Sequence, residues 1–429
     1  MKPFQVLLLA GFGFLALLGL FLFATFSGFG SNATKLGAVT IWGTLPESGV
    51  DAALNTLKAD NQQYNQVSYV QKPEASFDVD LAEALASGTG PDLILISQEE
   101  LATEQNKLTV IPFSVMSERS YLDTYLPISE IFLASSGTYG IPFAVDPLVL
   151  YYNRSLLTSA GVATPPASWE AVTGLSERLT QSQAGSVIRS VIPLGSYENV
   201  ENARAILSLL LLQAGNPIVA VDTTGPHAQL TAAGQSSSGS TPAESAINFY
   251  TQFSDPAKTV YTWNRALASA RQSFLSGDLV LYPGFASELP QLKASNPNLD
   301  FDMAPIPQPQ TAATSLTFGH VYAFAIPKAS KNPAGALTIA QALAAPSYAV
   351  HAASEFGMAP ALRSSLTPST NDRYQPVFFP QALIARGWLS PSPSVTDQIF
   401  STMIGSITSG RAAVHQAFDT ADQAIEASY

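Results

Sequence analysis

The sequence predicts an α/β protein, and its first hundred residues carry the clearest signal. Apolar strand-forming runs lie at residues 38–42, 67–70 and 93–96, and the segments between them hold apolar residues at helical spacing. The run LILI at 93–96 is continuously apolar, as expected for a strand buried on both faces of a parallel sheet. This βαβαβ order predicts a three-layer α/β lobe with right-handed crossovers. The 429 residues suffice for two or three domains of roughly 100–200 residues each.

The alternating pattern starts again after residue 153. Ser168 is suited to cap a helix that begins at Trp169, and an apolar helix over 203–215 ends at a glycine. The remaining expected elements are strands at 187–193, 279–282, 303–306 and 320–326 and helices at 243–253, 266–275, 333–344, 395–408 and 412–428. Residues 360–394 are rich in proline, serine and aromatic side chains, so this stretch is expected to be loop-rich.

Composition excludes several classes of function. Only 12% of the residues are charged, the net charge is −12, and no lysine or arginine cluster is present, which argues against nucleic-acid binding. The chain has no cysteine, so disulfides, thiolate zinc sites and cysteine nucleophiles are excluded. Neither a metal nor a cofactor is expected, and a zinc site in particular is disfavoured because no two histidines stand at metal-ligand spacing. The four histidines are His227, His320, His351 and His415.

Residues 1–35 are predicted to form a membrane segment. Within them, residues 6–26 give a run of 21 nearly continuous apolar residues, and a membrane-spanning helix needs about 20. Lys2 precedes the run, which favours a cytoplasmic N-terminus. A cleaved signal peptide is the alternative, although its apolar core covers only about 7–15 residues. We expect an anchored protein with residues from 36 onward on the extracytoplasmic face of the cell membrane.

Six segments, taken in order, resemble the extracellular solute-binding proteins of ABC importers, and most closely the carbohydrate-binding family that includes maltose-binding protein. The segments are VTIWG at 39–43, ALASGTGPDLILIS at 84–97, YGIPFAVDPLVLYYNRSLLTSAGVATPPASWEAV at 139–172, SFLSGDLVLYPGF at 273–285, FGHVYAFAIPKASKNPAGAL at 318–337 and EFGMAPAL at 355–362. The third is the most specific. The resemblance covers about residues 38–365, with a looser fit beyond.

This resemblance implies a periplasmic-binding-protein-like fold, with two three-layer α/β lobes joined by a hinge of several crossings. The N-terminal lobe would take residues 36–145 and 319–355, and the C-terminal lobe 146–318 and 356–429. The chain would pass between the lobes at Asp146 and Pro147. The resemblance also implies a receptor without catalytic activity that holds a small-molecule ligand, a sugar or oligosaccharide, and delivers it to the permease subunits of an ABC importer.

Sugar recognition needs flat apolar faces and polar groups for the hydroxyls, and such residues follow the predicted strands. Trp42 ends the first strand, and Gly43 would let its ring turn toward the cleft; a strand-closing core tryptophan is the alternative. Ser97 and Gln98 follow the third strand directly, where open α/β sheets place ligands. The other ligand candidates are Glu47, Asp146, Tyr197, Glu198, Gly284, Phe285, His320, Tyr322 and Trp388.

Each of these candidates has a structural alternative. Asp146 could be an acid satisfied by backbone amides at the hinge, and His320 a satisfied core histidine. Glu47 could be a solvated acid at a helix start. Trp169, by contrast, is expected to pack rather than to bind.

Two other classes of function stay open at this point. A membrane-anchored glycoside hydrolase would need two carboxylates about 5–9 Å apart, and Asp146 and Glu198 could supply them. No nucleophile elbow, zinc-protease motif or P-loop accompanies them. A sensor or scaffold ectodomain without a permease is the other alternative.

Overall fold

The computed structural model describes residues 36–231 and 241–429, and it is built around one central sheet. The described strands are β1 (Val39–Gly43), β2 (Val67–Gln71), β3 (Leu93–Ser97), β4 (Ile111–Pro112), β5 (Leu133–Ala134), β6 (Gly137–Thr138), β7 (Gly140–Asn153), β8 (Gln181–Gln183), β9 (Ser186–Arg189), β10 (Val219–Val221), β11 (Pro226–Ala228), β12 (Leu281–Phe285), β13 (Phe301–Ala304), β14 (Thr317–Ala325), β15 (Ala359–Pro360) and β16 (Ala385–Arg386). The central sheet has the order β12-β7-β14-β3-β1-β2, with β13 and β15 also paired to β7 and β16 to β14.

Helices cover this sheet. The described α-helices are α1 (Glu47–Asp60), α2 (Phe77–Ala86), α3 (Gln98–Glu104), α4 (Glu118–Thr124), α5 (Arg154–Ser159), α6 (Trp169–Leu179), α7 (Ala203–Gln213), α8 (Pro242–Thr251), α9 (Ala270–Ser276), α10 (Leu289–Ser295), α11 (Pro333–Leu343), α12 (Pro346–Glu355), α13 (Gln375–Ile384), α14 (Pro393–Thr408) and α15 (Val414–Glu426). Short 3-10 helices occupy Gln62–Tyr64, Glu74–Ser76, Gln105–Lys107, Pro127–Phe132, Gln252–Ser254, Ala286–Glu288 and Arg363–Ser365.

The βαβαβ start of the chain is confirmed. Strand β1 lies between β2 and β3 and runs parallel to both. All five residues of β3 are buried, which agrees with the prediction from the continuous LILI run. Strand β14 then pairs antiparallel with β3, so a strand from far along the chain completes this part of the sheet.

Strand β7 is a single unbroken strand that joins two parts of the sheet. Residues 140–147 pair with β14, whereas residues 148–153 pair with β12 and β13. We call β1, β2, β3, β14 and residues 140–147 the first sheet half, and β12, β13 and residues 148–153 the second sheet half. The chain therefore passes Asp146 and Pro147, where a crossing between lobes was predicted, without a break in the strand. Pro142 is tolerated beside a register shift at Tyr322 and Ala323, where the ladder is already irregular.

The sequence analysis missed six described helices, namely α3, α4, α5, α10, α12 and α13. Helix α12 begins at Pro346, and helix α13 lies inside the stretch expected to be loop-rich. Helix α13 has weak amphipathic character and contains Pro380, so its sequence carries little helical signal. The strand expected at 187–193 ends at Arg189, and β12 lies at Leu281–Phe285 rather than at 279–282.

No described helix, in either 36–231 or 241–429, is long and apolar enough to cross a membrane. The predicted membrane segment at residues 6–26 lies outside the described part of the chain.

Polar contacts fasten the last helix, α15, to its neighbours. His415 Nδ1 lies 2.7 Å from Glu244 Oε1 on α8. His227 Nδ1, on β11, lies 2.9 Å from Glu426 Oε1 near the end of α15. Hydrogen bonds to Glu426 raise the pKa of His227, and those to Glu244 raise the pKa of His415. Each pair is therefore strongest when its imidazole is protonated.

This geometry predicts a pH-dependent stability. A histidine whose folded pKa is raised contributes stability that is complete below its unfolded pKa, about 6.5, and that is lost as the pH rises through the folded value. Thermal unfolding between about pH 6 and about pH 9 should show a falling midpoint, and the double variant His227→Gln, His415→Gln should flatten the fall. His351→Gln, on the exposed face of α12, is the matched control. An unchanged slope in the double variant would contradict the assignment.

Candidate functional site

The candidate site lies where α3 leaves the first sheet half and α7 begins beside the second. Ser97 caps α3, and the Glu100 carboxylate accepts the Ser97 amide at 2.8 Å and its hydroxyl at 2.5 Å. Gln98 is fully buried and joins α3 to β14, because its side chain binds the Gly319 carbonyl and the Val321 amide. The side chains of Ser97, Gln98 and Glu100 are therefore engaged in hydrogen bonds within the protein.

Asn202 fixes the start of α7 to the second sheet half. Its side-chain amide donates to the Pro283 carbonyl at 3.2 Å and to the Glu288 carboxylate at 2.7 Å. Arg271 pairs with the same carboxylate at 2.8 Å, which satisfies the charge of a buried Glu288. The second residue of α7, Arg204, is therefore held on the side of β12.

An ion pair connects the two sides. Arg204 Nη1 donates to Glu99 Oε2 at 2.6 Å, with the Glu99 side chain 5% exposed and that of Arg204 19% exposed. Arg204 Nε lies 3.5 Å from Asp397 Oδ1 on α14, and the Tyr197 hydroxyl donates to that oxygen at 2.5 Å. The contacts form a chain from α3 through α7 to α14. Glu99, Arg204, Asp397 and Tyr197 are called the inter-half site below.

The electrostatics of the inter-half site depend on the single arginine. Burial raises the pKa of Glu99, and the Arg204 guanidinium opposes this shift by lowering it. Burial, aided by the Arg204 charge, lowers the pKa of His320 to about 3. His320 Nε2 lies 3.6 Å from Glu99 Oε1, but the neutral imidazole makes this a polar contact rather than an ion pair.

Aromatic rings stand beside the inter-half site. The ring of Phe285, at the end of β12, stacks on the His320 imidazole with 4.5 Å between centroids and 25° between planes. Phe318 meets the same imidazole edge-on at 5.6 Å. Phe285 and His320 are each half-buried, so the stack offers a flat apolar surface next to charged hydrogen-bonding groups.

Similarity to known proteins agrees with this architecture. A family model for bacterial extracellular solute-binding proteins matches residues 47–350. The chain belongs to this family. Within residues 36–231 and 241–429 no group of three or more histidine or acidic side chains is placed to hold a metal ion.

Solved structures show the same fold for this solute-binding family member. One is a cyclo/maltodextrin-binding protein complexed with maltotetraose, with a TM-score of 0.71 and 15% identity over 91% of this chain and 96% of that one. Another is the cyclic α-maltosyl-1,6-maltose binding protein from Arthrobacter globiformis, with a TM-score of 0.74 and 18% identity over 91% and 98%. The α/β periplasmic-binding-protein-like fold is thereby shown.

Curated relatives match shorter parts of the solute-binding chain. A galactooligosaccharide-binding protein from Bacillus subtilis is 24% identical over 139 residues, which is 32% of each chain. A putative binding protein from Brucella abortus is 29% identical over 94 residues, or 22% of its length. The chain therefore aligns with less than a third of these curated relatives.

The predicted site residues divide into groups. Tyr197, Phe285 and His320 come together at or beside the inter-half site. Tyr322 is half-buried on β14 and pairs in register with Ser97. Glu198 is exposed next to Tyr197.

Asp146 and Gly284 have structural roles in this conformation. Asp146 is 2% exposed, and its Oδ1 accepts the Ser287 amide at 3.0 Å, as the structural alternative expected. Burial raises the pKa of Asp146 to about 7 against the effect of this bond. A Cβ on Gly284 would lie 2.8 Å from the Tyr282 ring and 2.9 Å from Glu288, so internal packing requires glycine here.

Trp388 is also placed by packing. It is 4% exposed, its indole nitrogen donates to Ser208 Oγ at 3.1 Å, and its ring lies 6.3 Å from that of Phe400. Trp388 was predicted as a ligand candidate, and in this conformation its side chain is buried by these contacts. Trp169 is buried as expected, and its indole nitrogen donates to Gln213 at 2.7 Å.

The β1 edge holds the remaining candidates. Trp42 is half-buried, and the Lys72 ammonium lies 3.8 Å from its ring centroid. A Cβ on Gly43 would lie 2.9 Å from both the Leu95 carbonyl and the Tyr69 hydroxyl, so this glycine permits close strand packing. Glu47 is exposed in the first turn of α1.

Sequence reasoning missed Glu99, Arg204 and Asp397. Glu99 follows the third strand by two residues, and only the helical turn after Ser97 shows that it, rather than Gln98, faces Arg204. The signal that could have found Arg204 is a lone cation in ARAILSLLLLQ, the otherwise uncharged sequence of α7. Asp397 comes from the distant α14 and carried no local signal.

Arg204→Met should leave the buried Glu99 carboxylate without its ion-pair partner. Loss of one partner of a buried pair costs roughly 3 kcal/mol, so the variant should lose about that much stability at neutral pH. Because the folded pKa of Glu99 is raised, the penalty applies above that pKa and fades as falling pH protonates the carboxyl. Chemical denaturation at about pH 7 and about pH 5 would measure the loss of stability at neutral pH and its decrease at the lower pH.

Two further variants sharpen the test. Adding Glu99→Gln to Arg204→Met should recover much of the lost stability at neutral pH, because the second substitution removes the carboxylate that the first leaves unpaired. Arg119→Met is the control, since Arg119 pairs with Asp123 at a fully solvated surface where a pair contributes about 0–1 kcal/mol. An equal loss at both pH values would contradict the role of Glu99.

Proposed function

We propose that this chain is an extracytoplasmic receptor of an ABC importer that binds a sugar or oligosaccharide between two lobes and delivers it to a permease. The observation that carries the proposal is the Glu99–Arg204 pair, which joins the two sheet halves beside the Phe285–His320 stack. Charged groups that accept and donate hydrogen bonds next to flat rings suit sugar hydroxyls and C–H faces. Membership in the solute-binding family supports the same function.

The named ligands of similar proteins favour a carbohydrate. The structural neighbours include proteins bound to maltotetraose, maltotriose and mannotriose, and the Bacillus relative is named for galactooligosaccharide. The inter-half site holds one arginine against the two carboxylates of Glu99 and Asp397, which disfavours a phosphorylated or polyanionic ligand.

Lobe closure is the proposed mechanism of delivery. The partner change of β7 after Pro147 supports a hinge there, with lobes of residues 36–145 and 319–355 and of residues 146–318 and 356–429. Ligand would be held by Glu99 from one lobe and by Arg204, Tyr197 and Phe285 from the other, which favours the closed form. Residues 6–26 would anchor the receptor to the membrane that holds the permease. We assign no catalytic step.

A sugar panel tests the function. Thermal unfolding of the full chain with maltodextrins, mannooligosaccharides and galactooligosaccharides should show stabilisation by at least one glycan, about 2.7 kcal/mol at 100 times its Kd. Phe285→Ala and Glu99→Gln should weaken that response, whereas Arg119→Gln should not. If no glycan stabilises the protein, the carbohydrate assignment fails.

A further inference from the structure

Three adjoining cavities form a groove that leads away from the inter-half site. The first, of about 100 Å³, lies beside Tyr197. The second, of about 660 Å³, shares Ser254 and Thr408 with the first. The third, of about 750 Å³, shares Ser245 and Phe249 with the second. We call the three together the lateral groove; the two larger cavities each have the size of a small-molecule site, about 300–1,000 Å³.

The groove begins where the inter-half site ends. Tyr197 lines the smallest cavity, and its hydroxyl donates to Asp397, which contacts Arg204. A ligand that occupies the inter-half site and extends past Tyr197 would therefore enter the groove directly.

The lining of the groove has the chemistry of a neutral glycan site. Asn248 and Gln252 present amide groups in the second cavity, and Thr311 and Thr314 present hydroxyls in the third. The half-buried Phe249 stands between these two cavities, with its ring 5.7 Å from that of Trp169. Amides and hydroxyls around aromatic rings match sugar hydroxyls and C–H faces.

The charges along the groove nearly cancel. Glu198 and Arg265 line the first cavity, and Asp255 and Lys258 line the second. The third adds only Glu170. The balance favours an uncharged ligand over a polyanion or a strongly charged peptide.

We propose that the lateral groove binds the distal units of a long neutral glycan whose near end occupies the inter-half site. This inference rests on the proposed function and adds a second, extended binding region to it. The protein would accordingly select longer oligosaccharides over short ones of the same linkage, because each further unit gains contacts along the groove.

A chain-length series tests the proposal on the full-length protein. Calorimetric titration with maltodextrins and galactooligosaccharides, from disaccharide to decasaccharide, should show at least about a tenfold gain in affinity from the shortest glycan that binds to the longest. The double variant Asn248→Ala, Gln252→Ala should lose about threefold to tenfold of affinity for the longest glycan while keeping affinity for the shortest.

Controls separate this idea from the proposed function. Gln272→Ala, an exposed position on α9 outside the groove, should keep the full length dependence. Retained affinity of the double variant for the shortest glycan shows that the variant is folded. If affinity does not increase with chain length, or if the double variant loses affinity equally for glycans of every length, the lateral-groove proposal fails while the proposed function stands. Failure of every glycan to bind overturns both proposals.

Discussion

The continuous strand β7 is the constraint on which the rest of the structure depends. Of its 14 residues, 140–147 pair with β14 of the first sheet half, and the following residues pair with β12 of the second sheet half. Because the backbone of one strand cannot shift its two parts independently, both halves are fixed in register at Asp146, opposite His320. The inter-half site forms next to this point, where Glu99 lies 3.6 Å from His320 and Phe285 stacks on the same imidazole.

Low charge content makes the few buried ion pairs important. With 12% charged residues, the chain places Glu99 against Arg204 and Glu288 against Arg271 in largely apolar surroundings. Buried pairs of this kind add little net stability but cost much when one partner is lost. They therefore specify which surfaces meet. Glu288 fixes the start of α7, and that start places Arg204.

Part of the site was predictable because strand ends are visible in sequence. The runs before Ser97 and Phe285 mark the edges where α/β proteins place ligands, and Tyr197 follows a strand-like segment in the same way. The site residues that were predicted wrongly or not at all share a physical cause. Whether Gln98 or Glu99 faces the partner depends on the turn of α3 after its cap. Trp388 is buried because it packs against Phe400 of α14 and bonds Ser208 of α7, although the composition around it suggested a loop.

The sequence alone determined the α/β class, the parallel β1–β3 core, the lack of thiol chemistry and the resemblance to solute-binding proteins, because these depend on local periodicity, residue type and segment order. Only the tertiary structure decided that β7 is unbroken, that Asp146 is bonded to the Ser287 amide, and that Glu99, Arg204 and Asp397 meet. Those contacts join residues about one to two hundred positions apart, as from Arg204 to Asp397. Such pairings leave no periodic trace in the chain, since they are set by how the helices pack on the sheet.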